Sequence, residues 1–376
     1  MTTLLDIETP ALLLEQDKLM KNLRSMNARA KALGVSLRPH LKTAKSADIA
    51  RLVFDGATGP ITVSTMREVS YFIDHGFTDI FLAVGVSPDK LRRLNQMASD
   101  SVTIKIAVDG QSMATALATE EPDPGAHIGA MIEIDCGDSR GGVSSDSEEL
   151  LQIATTLDGS GLAIAGVFTH GGQSYDCVGI DAIREVAREE HHAIIHATER
   201  LRHAGFTCPH ISLGSTPTAT FAEAMDGVTE VRAGVYMFQD LQQQGLGVCA
   251  LDELALSALA TVIGLHTDRN VALVDAGGLA LSKDRGASAN EPDPGFGLVC
   301  TVDGDIIHNL HVVGVSQEHG KISTIDGTAL PAHLLQPGTR VRILPNHACM
   351  MAAAHDHYNV IGHDQTITRW NRVNGW

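Results

Sequence analysis

Long apolar runs are missing from this chain of 376 residues. No segment approaches the roughly 20 consecutive apolar residues that a membrane-spanning helix needs, so no membrane partner is expected. The leading segment, MTTLLDIETPALLLEQDK, has no basic start and carries acids within its apolar stretch, so it does not read as a secretory signal. Basic charge is short too. Lysine and arginine total 28 against 45 acids, a formal charge of −17, which repels a phosphate backbone and excludes nucleic acid as the expected partner. A small anion in a local basic pocket stays open. The six cysteines (Cys136, Cys177, Cys208, Cys249, Cys300 and Cys349) form no CxxC and no dense framework, the pattern of free, mostly buried thiols in a reducing, cytoplasmic setting. Neither GxGxxG nor GxxxxGK followed by Ser or Thr occurs, so nothing points to a nucleotide. There is no low-complexity tract and no internal repeat beyond an alternation of strands and helices.

What is present divides into two rhythms. The length alone favours two domains. Up to about residue 245, short β-branched runs alternate with longer amphipathic stretches. The runs are VSLRPH from Val35, ITVS from Ile61, DIFLAV from Asp79, IKIAVD from Ile104, IGAMIEID from Ile128, IAGVFTH from Ile164, HISLGS from His210 and TEVRAG from Thr229. Eight strands with helices between them predict a (β/α)8 barrel, since a doubly wound sheet usually stops nearer six. Over 246–376 the runs TVIGLHT, NVALVDAG, GLVCTVDG, HVVGVSQEHG, TRVRILPNHACM and HYNVIG are separated by turn signals, which predicts a mostly-β second domain.

Chemistry-bearing residues cluster in the sequence where the barrel strands end. His40, Lys42, Asp135, Arg140, His170, Ser215 and Gly234 all fall at or just past those ends, and in barrels that rim is where reactions occur. Lys42, in RPHLKTAKS, could have its amine made nucleophilic by barrel walls and a neighbouring cation, or could be an ordinary loop lysine. LGSTPT and RAGVY follow strands seven and eight, where barrels often bind phosphate, although Gly-Ser-Thr-Pro is also a common turn. Arg140, in DCGDSRGGV, suits a cofactor oxygen or an acid. A phosphate pocket opposite a lysine suggests pyridoxal phosphate. In PNHACMM, His347 and Cys349 are two residues apart, a spacing that puts both side chains on one face of a strand.

Taken together, RPHLKT, DCGDSRGGV, THGGQSY, LGSTPT, VDAGGLALSKD, SQEHG and PNHAC occur in an order that resembles the D-serine dehydratase and D-threonine aldolase family, pyridoxal-phosphate enzymes of the alanine-racemase fold type. The resemblance runs over nearly the whole chain. It implies a barrel at 1–245 that binds the cofactor and a β domain at 246–376 that carries a metal. It further implies a Schiff base on Lys42 and Arg140 facing the cofactor's phenolic oxygen, with His170 and Tyr175 lining the pocket. Ser215, Thr216 and the backbone of Gly234 and Val235 would hold the phosphate, and His347 and Cys349 would bind the metal. Two positions depart from the family pattern: Ala44 stands where histidine is usual, and Val235 where asparagine is.

Two protein ligands leave a metal open to water and substrate. Thiolate is soft and favours zinc, with manganese or magnesium the alternatives that suit the His-x-Asp of resembling aldolases. The expected activity is therefore dehydration of a β-hydroxy-D-amino acid, such as D-serine or D-threo-3-hydroxyaspartate, to a keto acid and ammonia. Aldol cleavage is the alternative, and a barrel that binds pyridoxal phosphate without catalysis ranks below both. Head-to-tail homodimers with shared active sites are expected from the same resemblance.

Overall fold

Pro39 ends the first barrel strand, yet the chain stays in register for one more residue, and that residue closes a ring. In the computed structural model, which describes residues 3–120 and 123–376, His40 pairs with Thr62 in an isolated parallel bridge, and Leu41 N–H donates to Thr62 O at 2.8 Å. A first strand, β1 (Ala11–Glu15), precedes the ring and belongs elsewhere. The ring strands are β2 (Ser36–Pro39), β3 (Ile61–Val63), β4 (Asp79–Gly85), β5 (Thr103–Val108) and β6 (His127–Asp135). A two-residue strand, β7 (Val143–Ser144), pairs only with β6, and the ring continues through β8 (Ala163–Thr169), β9 (His210–Leu213) and β10 (Glu230–Ala233). The order β2-β10-β9-β8-β6-β5-β4-β3 is parallel throughout, so the bridge at His40 completes an eight-stranded barrel. All eight expected strands are there. Strands covered on both faces read as near-continuous apolar runs, which is why they were visible.

The barrel interior is less apolar than those runs suggest. Phe81 and Phe168 meet edge to face at 5.0 Å, and the Arg232 guanidinium lies over both rings. Toward the N-terminal ends of the strands, Arg38 pairs with Asp79 and Glu230 at 2.9 and 2.8 Å, and Lys105 pairs with Asp79 at 2.6 Å. Buried charges persist only when paired and hydrogen-bonded, and Ser212 Oγ adds a bond to Glu230 at 2.7 Å. Outside the ring, the 24-residue helix Ile180–His203 turns Ile183, Val186, Ala187, Ile194, Ala197 and Leu201 inward at three- and four-residue spacing.

The second compact unit comprises residues 1–23 and 235–372, whereas the barrel unit comprises 24–234 and 373–376. The division thus differs from the expected boundary at 245/246. The physical reason is β1: it pairs antiparallel with β11 (Leu256–His266) and parallel with β17 (His357–Ile361), burying Leu12, Leu13 and Leu14 inside the second unit. The remaining strands are β12 (Val271–Val274), β13 (Leu298–Thr301), β14 (Ile306–Val315), β15 (Gly320–Thr324), β16 (Arg340–Leu344) and β18 (Ile367–Asn371). β12 also pairs with β11, so six of these strands close into a second ring. No helix among the described residues is long and apolar enough to cross a membrane.

Candidate active site

Lys42 lies in the turn that follows β2, exposed, with Thr43 and Ala44 buried beside it. The neighbouring Lys45 is committed elsewhere, its Nζ 2.8 Å from the fully buried Glu68. His40 Nδ1 is buried and has no hydrogen-bond partner. Burial holds this imidazole neutral, with its pKa well below the usual value, and Lys42, Arg232 and His170 add repulsion. These groups therefore share one electrostatic neighbourhood.

His170 follows β8. Its Nδ1–H donates to Gly214 O at 3.0 Å, and its ring centroid is 6.3 Å from that of Tyr175. Burial pulls its pKa down to about 3; Lys42, Arg140 and Arg232 reinforce this, and the bond to Gly214 opposes it. His170 is therefore neutral at working pH, with one nitrogen committed and Nε2 left as an acceptor.

Ser215 is the N-cap of the helix Thr216–Phe221 and forms a capping box with Thr218. The preceding Gly214 has φ +124°, and a Cβ there would sit 2.6 Å from Arg232 O, so only glycine fits. Thr216 is buried, and a Cβ on Gly234 would meet His40 O and Thr43 Oγ1 at 2.9 Å each. Arg140, beyond β6, is exposed, with Nη2 3.2 Å from Glu133 Oε1. Lys42, Arg140, His170, Tyr175, Ser215, Thr216 and Gly234 thus gather at the C-terminal ends of β2, β6, β8, β9 and β10. Val235 is buried and opens the second unit. The buried hydroxyls, the tight glycines and the buried His40 Nδ1 would fit a small anionic aromatic group.

The pair in PNHACMM requires a correction. His347 and Cys349 are not on a strand: β16 ends at Leu344, His347 is an N-cap with extended backbone (φ −137°, ψ 108°), and Cys349 lies in the first turn of the helix Ala348–Ala353. Pro345 cannot donate to the ladder, which ends the strand before the pair is reached. The two side chains still meet, because the Cys349 sulfur lies within hydrogen-bonding reach of the His347 ring. His347 Nδ1 lies 2.9 Å from Asp284 Oδ2. Burial opposes charge on His347, but Asp284 and Cys349 outweigh it and raise its pKa to about 11. A second acid, Asp240, accepts from Gln243 N and Ala348 N at 2.9 Å each and so anchors the helix that carries Cys349; burial pushes its own pKa up to about 6. A histidine held at one nitrogen by a carboxylate can offer the other to a metal, and a cysteine beside it could add a second donor. Among the described residues, no group of three or more His, Cys, Asp or Glu is arranged to hold a metal.

The sequence reading missed Asp284 and Asp240. Asp284 closes the quoted motif VDAGGLALSKD, so an acid there was visible, but its partner is 63 residues away.

Residues 14–242 match the family model for the alanine racemase N-terminal domain, and residues 255–361 match that for a putative serine dehydratase domain. The chain belongs to the D-serine dehydratase family of alanine-racemase-type pyridoxal-phosphate enzymes. It is 41% identical over 377 residues to the D-threo-3-hydroxyaspartate dehydratase of Delftia sp. (strain HT23), covering 100% of this chain and 99% of that one. A solved structure of the Delftia enzyme superposes with TM-score 0.96 over the full length of both chains. The D-serine dehydratase of Dictyostelium discoideum is 30% identical, covering 96% of this chain and 95% of that one. The D-threonine aldolase of Filomicrobium marinum, 25% identical, superposes with TM-score 0.80 over 98% of this chain and 96% of its own. Solved structures of a D-threo-3-hydroxyaspartate dehydratase, also 41% identical and with TM-score 0.96, include a histidine-to-alanine variant and, two positions further along, a cysteine-to-alanine variant in the metal-free form.

Proposed function

We propose that this lyase removes water from a β-hydroxy-D-amino acid and releases a keto acid and ammonia, with D-threo-3-hydroxyaspartate and D-serine the leading substrates. One observation carries the choice of dehydratase over aldolase. His347 and Cys349 form a soft pair buttressed by Asp284, and the histidine and cysteine substituted in the solved D-threo-3-hydroxyaspartate dehydratase variants have the same spacing.

Lys42 would hold pyridoxal phosphate through its Nζ, and the same amine, when free, would take the α-proton. Ser215, Thr216 and the backbone of Gly234 and Val235 would hold the phosphate, and Arg140 would face the phenolic oxygen. Tyr175 and neutral His170 would line the pocket, with His170 Nε2 accepting a hydrogen bond. When bound, the cofactor would supply an electron sink, and a divalent ion on His347 and Cys349 would supply a Lewis acid for the β-hydroxyl. The thiolate favours zinc over manganese or magnesium. The enamine released hydrolyses in water.

The reading requires Lys42 and the metal pair to act on one substrate molecule, and it assigns them to the two subunits of a homodimer. None of the six cysteines forms a disulfide, which supports a cytoplasmic setting. The test is product identification. Metal-replete enzyme is incubated separately with D-serine, D-threonine and both 3-hydroxy-D-aspartates. Keto acid with ammonia, abolished by chelation and restored by zinc, is the expected result; glycine would mean aldol cleavage.

A further inference from the structure

The helix Ile180–His203 buries an apolar face broken by two polar residues, Thr198, whose hydroxyl bonds the helix's own Ile194 O, and Glu190. Glu190, in the middle of that face, has no solvent exposure. A buried carboxyl group is costly, and burial raises the pKa of this one; its Oε2 has no hydrogen-bond partner, so its polar contacts rest on Oε1. Glu190 Oε1 accepts from Gly171 N at 2.7 Å and from Gly214 N at 2.9 Å. The first belongs to the loop after β8, next to His170, and the second to the loop after β9, next to Ser215.

Both donors are glycines at tight places. A Cβ on Gly171 would lie 3.1 Å from Thr218, 3.2 Å from Val186 and 3.3 Å from Glu190 itself, and Gly214 is blocked by Arg232 O. The two loops are also tied to each other. Ser174 Oγ donates to Gly171 O at 2.6 Å and meets Ser215 Oγ at 2.9 Å, Ser215 Oγ lies 3.0 Å from Thr218 Oγ1, and His170 donates across to Gly214 O. Through Oε1 alone, Glu190 thus joins both loops to one turn of a long helix.

We infer that Glu190 is a positioning residue that fixes the spacing of these two loops and thereby sets the affinity for the phosphate end of the cofactor. The inference rests on the cofactor reading above. Ser215 and Thr216 follow Gly214 directly, so displacing that N–H moves the start of the helix that would face the phosphate. An amide at position 190 still offers one oxygen to both N–H groups, whereas a methyl group leaves both unpaired.

The experiment titrates apoenzyme with pyridoxal phosphate and, separately, with unphosphorylated pyridoxal, following absorbance of the lysine adduct and circular dichroism of the apo form. Wild type tests the cofactor reading, and failure to take up pyridoxal phosphate would overturn that reading and this inference together. Given uptake, Glu190→Ala is expected to lose pyridoxal-phosphate affinity by on the order of 10- to 100-fold, two buried N–H groups having lost their acceptor, with pyridoxal affinity changed far less. Glu190→Gln is expected to stay within about threefold of wild type, because its amide oxygen can still accept both bonds. Gly171→Ala keeps the carboxylate but presses the loop away from it, and should weaken pyridoxal phosphate selectively even if the alanine variant at 190 does not fold. Unchanged affinity in Gly171→Ala, or equal losses for both ligands in either variant, would overturn the inference. So would a glutamine variant as weak as the alanine variant.

Discussion

Asp284 Oδ2 and His347 Nδ1 are 2.9 Å apart, so the ring nitrogen left to face a metal is Nε2. A carboxylate in this position holds the ring in one orientation and makes its other nitrogen a better donor. Replacing Asp284 with alanine is expected to weaken zinc binding by roughly 10- to 100-fold, with activity recovered at excess zinc. Competition against a chromophoric chelator measures this directly. Zinc affinity equal to wild type would show that the bond does not serve the metal.

Cys349→Asp exchanges a soft ligand for a hard one at unchanged spacing. The ratio of zinc to manganese affinity is expected to fall, since carboxylate oxygen discriminates against manganese less than thiolate does. Competition between the two ions, read by metal analysis of the gel-filtered protein, gives the ratio. An unchanged ratio would place the cysteine outside the metal's ligand set.

Borohydride should fix the cofactor on Lys42 and not on Lys45. The two are three residues apart, but Lys45 Nζ is held at 2.8 Å by buried Glu68, while Lys42 sits exposed in the turn closing the barrel ring. Peptide mapping by mass decides between them. Label on Lys45 would overturn the placement of the cofactor.

How much of this was legible beforehand depended on how local each feature is. All eight barrel strands were visible because each is buried on both faces and so forms its own apolar run. β15 and β18 were not: GKIST and ITRWN are short, and their exposed positions break the pattern. The two family matches meet on either side of 245/246, whereas the compact units divide the chain elsewhere because β1 joins strands more than 240 residues away, a pairing with no local signature. His347 and Cys349 stood out by spacing, yet the helix turn that brings them together was read as a strand. Glu190 and Asp284 act through residues 19 to 63 positions distant, and only the fold brings those partners to them.

Acid stability should report the neutral His170. Its pKa is about 3 in the fold against an ordinary 6.5, so unfolding between those values takes up a proton. Stability is therefore fully present above about pH 6.5 and is lost progressively as pH falls toward 3. His170→Asn keeps a donor for Gly214 O but removes the titration. Its unfolding free energy should decline less steeply with acid, by up to about 1.4 kcal/mol per pH unit. His40 contributes with the same sign and Asp240, with its raised pKa, with the opposite sign; both remain in the variant and cancel in the comparison. Denaturant titrations of the two apo proteins across this range are the measurement. Parallel curves would mean that His170 is not buried neutral.

Lys42 and His347 fall in different compact units, and the proposed reaction needs both on one substrate molecule. Cyclic two-fold dimers are the commonest oligomers, and a two-fold arrangement can supply the lysine from one subunit and the metal pair from the other. Complementation between Lys42→Ala and His347→Ala, each inactive alone, distinguishes shared from self-contained sites. With shared sites, a mixed dimer has one site carrying both lesions and one carrying neither. Random remixing makes roughly half of the dimers mixed, each with one good site in two, so about a quarter of wild-type activity should return. With self-contained sites, every site keeps a lesion and nothing returns. Differently tagged chains purified in tandem show whether mixed dimers formed. Mixed dimers without recovered activity would sink the shared-site model.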